Sequence, residues 1–434
     1  MPENGPDGPE DTPDRDPKRP DPNNPFAGTP LEALFGQFSA GGGVPDLGAL
    51  MGQMQQMFTQ QHDGPIDRQT AVDVARRTSA AAGPDPSPTS QQQGSVDDAV
   101  RLAETWLDRA TTIPVGATSS TAWSRADWIE QTAPTWHTLV EPVAEHVVGA
   151  MGDAMPAELK AMAGPLIGML TQAGGALFGQ QLGQALGALS GEVATSTDIG
   201  LPLGPDRVAA VLPGGVAAFG EGLEVARTDV MLYLVLRECA HHRLFQHAAW
   251  LRPALLSAIE EYGRGARIDL SAIEGKLTGF DPSRPDEIAE AMQNGLFEPE
   301  PTPEQRQALE RLELLLALVE GWVDEVVAQA TEGTMPAAGA LAEAMRRRRA
   351  TGGPAERTFA SLVGLELRPR RLRDAANLWA AVRDRQDAEA RDRLWSHPDL
   401  LPTAGDLDDP LGFADQTPDD VDEAIGRLLD DTGE

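Results

Sequence analysis

The run Arg237-Glu238-Cys239-Ala240-His241 sets a carboxylate and an imidazole three residues apart, so a helix carrying them presents both on one side. It matches H-E-x-x-H, in which two histidines four apart hold a zinc ion and the glutamate activates a bound water, except that arginine stands first. In that chemistry Glu238 is the general base and His241 a metal ligand. Three places offer a further ligand by spacing alone. His247 lies six residues after His241, Glu261 lies twenty after it with Glu260 beside, and Glu320 sits in Leu318-Val-Glu-Gly-Trp322. Spacing does not choose among them.

Arg237 opposes a metal. It lies four residues before His241, where the first imidazole belongs. A guanidinium about 4 Å from a dication costs roughly 8 kcal/mol at an effective dielectric of about 20. That cancels much of the ~10–16 kcal/mol that zinc binding releases in small structural sites. The competing arrangement puts Arg237 in a buried ion pair, with Glu238 or with a carboxylate from another helix, and packs His241 beside it. Cys239 reads as a small core residue. No Ser-His-Asp set, Gly-x-Ser-x-Gly or phosphate loop stands out.

The helix that must position these residues spans about 228–248 and contains the continuous apolar run Val230–Leu236, which predicts burial on several sides. Upstream, Val208–Leu212 predicts a strand, Pro213-Gly214-Gly215 a turn, and Val216–Phe219 a second strand pairing back, a small β-hairpin near 199–220 at most. Downstream, Thr302, Pro303 and Gln305 predict a capped helix start, followed by Leu309, Leu312, Leu316, Val319, Val323 and Val326 at helical spacing. Arg346 to Arg349 read as the cationic end of a helix over 338–349. Trp123, Trp128 and Trp136 read as core anchors. Over 157–193 a long helix is expected, with Gly175, Gly179, Gly183, Gly187 and Gly191 recurring every four residues. This ridge of missing side chains lets a neighbouring backbone approach, and the interspersed glutamines argue against a membrane span.

The fold class expected is mainly α. The predicted organisation is a disordered acidic, proline-rich tail over 1–29, Met/Gln-rich amphipathic helices over 30–62, a linker over 63–94, a helical domain over 95–415 opened by a Ser95/Asp98 capping box, and a short helix and tail over 416–434. The net charge of −32 excludes nucleic acid and anionic membrane surfaces as partners. Of 35 basic residues only Lys18, Lys160 and Lys276 are lysines, which reads as coding bias. One cysteine and an opening Met-Pro-Glu-Asn with no basic or apolar run give the expectation of a cytoplasmic protein.

Several passages together resemble bacterial zincin-like proteins, described as zinc-dependent metalloproteases or hydrolases. They are Tyr233–Phe245 continued by Ala249-Trp-Leu-Arg-Pro253, Trp123-Ser-Arg-Ala-Asp-Trp128, Asp198-Ile-Gly-Leu-Pro-Leu203, Leu318–Trp322 and His397-Pro-Asp-Leu-Leu-Pro402. The likeness spans roughly 95–415. It implies a zincin-like helical body, zinc as cofactor, Glu238 at the general-base position, His241 at the second-ligand position and Glu320 as a further ligand. It implies hydrolysis of a peptide, with Glu238 taking the proton from water. The first-ligand position is Arg237. Two functions therefore stand against each other: a zinc-dependent hydrolase, and a non-catalytic interaction or scaffold protein that keeps the fold around an Arg237 ion pair and binds a protein or peptide.

Overall fold

A computed structural model describes residues 66–153, 164–264, 302–350, 358 and 371–415. The chain divides into Met1–Gln61 and His62–Glu434, and all described residues lie in the second unit. The helices expected over 30–62 and the short helix and tail expected over 416–434 fall outside the described residues.

The described body is mainly helical. In chain order it comprises α1 (Arg68–Ala81), α2 (Ser90–Leu107), β1 (Ser119–Ala122), α3 (Arg125–Asp153), α4 (Gly164–Ser190), β2 (Val208–Val211), α5 (Pro213–Phe219), α6 (Arg227–His247), α7 (Leu251–Arg264), α8 (Pro303–Thr331), α9 (Ala338–Ala350), α10 (Leu372–Arg385), α11 (Ala388–Arg393) and α12 (Pro410–Ala414). Two short 3₁₀ turns stand between α11 and α12.

The motif helix and the long late helix form where the sequence places them. At α8, Thr302 accepts from the Gln305 amide and Gln305 closes the box, with Pro303 in the first turn. Leu312, Leu316, Val319, Val323 and Val326 all face the core. Trp128 and Trp136 are fully buried, and Trp123 nearly so. Among the described residues no helix is long and apolar enough to cross a membrane.

The β structure differs from expectation. β2 forms, but it pairs in parallel with the distant β1, Ser119 opposite Val208 through Ala122 opposite Val211, so there is no hairpin. Residues 216–219 lie in α5, because Pro213 at its first turn presets helical φ and has no N–H to offer a sheet.

The segment read as a linker also differs. Residues 68–81 form α1, whose N-cap is the Asp67 carboxylate accepting from the Thr70 amide. The capping box that opens α2 is Thr89 with Gln92, six residues before Ser95. α1 lies against the glycine ridge of α4. A Cβ at Gly183 would stand 2.5 Å from the Ala71 carbonyl oxygen, and one at Gly187 would stand 2.7 Å from that of Ala75. The close approach read from the four-residue glycine repeat is therefore real, and α1 is what approaches.

Two substitutions separate the packing use of glycine from its helix propensity. Gly183→Ala should lower stability by about 1–3 kcal/mol through overpacking. Gly94→Ala, inside α2 with nothing within 4 Å of a new Cβ, should raise it by up to about 1 kcal/mol. Urea unfolding of the two variants checks both signs.

Candidate functional site

α6 is buried nearly all round, from Leu232 through Phe245. Such a helix must answer every polar side chain it carries, since an unpaired buried charge is costly. It does so through three successive pairs spaced four apart, each turned toward a different neighbour: Arg237/His241 to α8, Glu238/His242 to the 196–197 turn and β2, and Cys239/Arg243 to α2.

The first pair occupies the position of the two metal-binding histidines. The Arg237 guanidinium donates to Glu320 at 2.5 Å and also to Asp324. Glu320 and Asp324 lie one turn apart on α8, which presents both carboxylates to the same cation. His241 Nδ1 meets the Arg237 carbonyl oxygen at 2.8 Å, and its Nε2 meets Glu320 at 3.1 Å. Each ring nitrogen thus faces an oxygen. Arg349, at the end of α9, donates to Glu320 at 2.8 Å and to the Asp198 carbonyl at 3.2 Å. Burial pushes the Glu320 carboxyl up, but Arg349, His241 and Arg237 outweigh it and hold it well below the usual carboxylate range. Burial likewise disfavours the Arg237 charge, and Asp324 and Glu320 more than restore it. Gly200, at φ +77°, lets the chain pass close, since a Cβ there would stand 2.7 Å from Glu320 Oε1.

Glu238 turns elsewhere. Its Oε2 accepts from the Thr197 amide at 3.0 Å and the Thr197 hydroxyl at 2.5 Å. Its Oε1 accepts from the Ser196 hydroxyl, from the Ala210 amide at 3.2 Å and from His242 Nε2 at 3.2 Å. Burial alone would raise its pKa. The His242, Ser196 and Thr197 contacts prevail and hold it at about 2. This carboxylate fastens α6 to β2 and the preceding turn. A general base works best with a pKa near the operating pH and a lone pair directed at water, and five donors leave Glu238 with neither.

The third pair is structural. Arg243 donates to Glu104 at 2.7 Å, to the Ile113 carbonyl at 2.8 Å and to Asp108 at 2.6 Å. Cys239 is buried beside Glu104, and burial raises its thiol pKa well above the ordinary value.

Of the proposed ligands, the structure joins His241 and Glu320 directly and places Arg237 against both. His247 is exposed at the last residue of α6. Glu261 is exposed and paired with Arg311, and Glu260 with Arg264. Sequence reasoning missed Asp324, Arg349, Ser196, Thr197 and His242. Asp324 had a signal, its spacing of four from Glu320. Arg346–Arg349 do end a helix as expected, but Arg348 and Arg349 also reach Asp198 and Glu320.

A family model described as zincin-like metallopeptidase matches residues 66–414, so this chain belongs to that family. Among solved structures it is similar to a protein from Chloroflexus aurantiacus described as a "putative hydrolase with a novel fold". The identity is 19%, the TM-score 0.57, and the match covers 80% of this chain and 97% of the other. That likeness concerns the fold. No curated protein matches.

The family name implies zinc, and the residues here do not fit it. The first-ligand position is a guanidinium, Glu320 is already neutralised by two arginines, and Glu238 and His241 engage different partners. Among the described residues no group of three or more His, Cys, Asp and Glu side chains is arranged to hold a metal.

The bound state of Glu238 carries a pH signature. Its native pKa of about 2 lies below the ordinary 4.5, so the unfolded chain binds more protons in that window. Its contribution is present above the unfolded value and is lost as pH falls toward about 2, amounting to about 3 kcal/mol. Urea unfolding between about pH 6 and pH 3 should show Glu238→Gln less stable at neutral pH, with a shallower loss on acidification than the parent chain. Parallel acid limbs would contradict this.

Proposed function

We propose that this chain is a non-catalytic member of the zincin-like family, a pseudoenzyme that keeps the helical framework and acts by contact with a protein or peptide rather than by turnover. The observation that carries this reading is the Arg237 guanidinium seated on Glu320 and Asp324 at the place where a metal-binding imidazole would stand. Two further observations support it. Glu238, the residue at the general-base position, has its carboxylate oxygens engaged by five donors, and His241 directs Nε2 at Glu320.

The charges balance in the same sense. Arg237 and Arg349 together bring to Glu320 and Asp324 the double positive charge that a dication would carry. A second cation of that charge would meet both guanidiniums at short range, which is strongly unfavourable in a dry site. A cytoplasmic location belongs to the same reading, on the single cysteine of the sequence. The contrary reading, a zinc-dependent peptidase using Glu238, His241 and Glu320, draws its support from family membership.

Zinc stoichiometry decides between them. The untagged full-length chain, incubated with zinc and then desalted, should retain less than about a tenth of an equivalent by elemental analysis, against the tight retention of a built site. Retention of a full equivalent that is lost in His241→Ala would overturn the proposal.

A further inference from the structure

α1 meets α3 along one stripe of each helix. Arg68 pairs with Glu141 at 3.4 Å and Arg76 with Glu130 at 2.7 Å, so the two helices run in opposite directions. On α1, Arg68, Val72 and Arg76 follow at steps of four. On α3, Glu130, Pro134, His137 and Glu141 follow at steps of four, three and four. His137 therefore lies between the two ion pairs, on the side of α3 that α1 covers. It is buried, and its Nε2 has no hydrogen-bond partner among the described residues. A neutral imidazole tolerates one unanswered nitrogen, whereas an imidazolium brings a second N–H donor and a full charge into the same place.

The charges nearby offer that cation no free partner. Both carboxylates of the stripe, Glu130 and Glu141, already serve arginines of α1, and Arg68 carries the same sign as an imidazolium. α4, which also packs against α3, has no charged residue. On α7, the other neighbour of α3, Arg252 pairs with Asp206, Glu260 with Arg264 and Glu261 with Arg311. Burial, with the Arg68 charge acting in the same sense, holds the His137 pKa at about 4 against an ordinary 6.5. The grip of α1 is also light. Its buried residues are Ala71, Ala75 and Ser79, and its two ion pairs with α3 are largely exposed to solvent, where such pairs contribute little.

We propose that His137 is an acid-sensitive clasp, whose protonation releases α1 and uncovers the Gly183–Gly187 ridge of α4. Turning Glu141 to the imidazolium would strip Arg68 of its partner, so the joint weakens by that route too. α3 itself stays in place, because Trp128, Trp136 and Leu139 anchor it in the core. The sign follows from the lowered pKa: the contribution of His137 to docking is complete above about pH 6.5 and is lost as pH falls toward about 4.

Hydrogen exchange of the full-length chain, read by mass spectrometry and corrected for the intrinsic rate at each pH, tests the clasp. From about pH 7.5 to about pH 5 the opening of residues 68–81 should rise by about tenfold or more. The pKa difference permits about thirtyfold over that interval. α6 should keep its protection throughout. His137→Gln and His137→Phe, uncharged at both pH values, should each abolish the difference. Equal opening of α1 in the parent chain at the two pH values would overturn the clasp without recourse to any variant. So would α6 opening in step with α1, or an acid response that persists in either His137 variant.

Discussion

Arg237 and Glu320 meet at 2.5 Å in a part of the core that excludes water, where an ion pair is tolerable only if every other charge nearby is also answered. That requirement organises the surroundings. Glu320 has two oxygens to satisfy and takes Arg349 and His241 as well as Arg237. Arg237 has donors to spare and takes Asp324 one turn along α8. The need for Arg349 fixes the end of α9, which also reaches Asp198 through Arg348. One cation in the motif thus ties α6, α8, α9 and the 196–200 turn together. Removing any member strands a buried partner, which typically costs about 3–5 kcal/mol.

The same helix shows why a motif read along the sequence need not work as a motif in space. Glutamate and histidine three apart do lie on adjacent parts of one helix, but chemistry requires that they converge on a common point. In α6 they do not, because the packing elements differ around its circumference. Long carboxylate-bearing α8 lies on the 237/241 side and hydroxyl donors lie on the 238/242 side. Glu238 has become an anchor for β2 and the turn before it, a use for which a low pKa is suited and a base is not. The family model matches residues 66–414, and within it Arg237, Glu238 and His241 each make buried contacts to neighbouring elements.

How much of this was legible follows from which interactions are local. The α8 cap at Thr302, the extent of α6 and its burial are written in neighbouring residues, and they form as read. The glycine ridge of α4 announced a close neighbour but not its identity. α1 reads as a polar segment, and its buried face is the small residues Ala71, Ala75 and Ser79, which give almost no apolar signal. The pairing of β2 with β1 joins residues some ninety positions apart over four-residue strands, below what periodicity can register. The ion pair itself was foreseen with its partner left open between Glu238 and another helix, and the structure supplies the other helix. Glu320 is one of three residues that spacing offers as a metal ligand, and only the family resemblance picks it out. Asp324 and Arg349 needed the packing of three helices to be seen.

The coupling between Arg237 and Glu320 is the quantity on which this account stands, and a double-mutant cycle measures it. Arg237→Met, Glu320→Gln and the pair together, compared by urea unfolding at neutral pH, should show the double change costing far less than the sum of the single ones. The interaction expected is at least about 2 kcal/mol, as for residues in one buried network. A coupling within about 0.5 kcal/mol of zero would mean the guanidinium is turned away from Glu320, and the reading of the motif as an ion-pair core would fail.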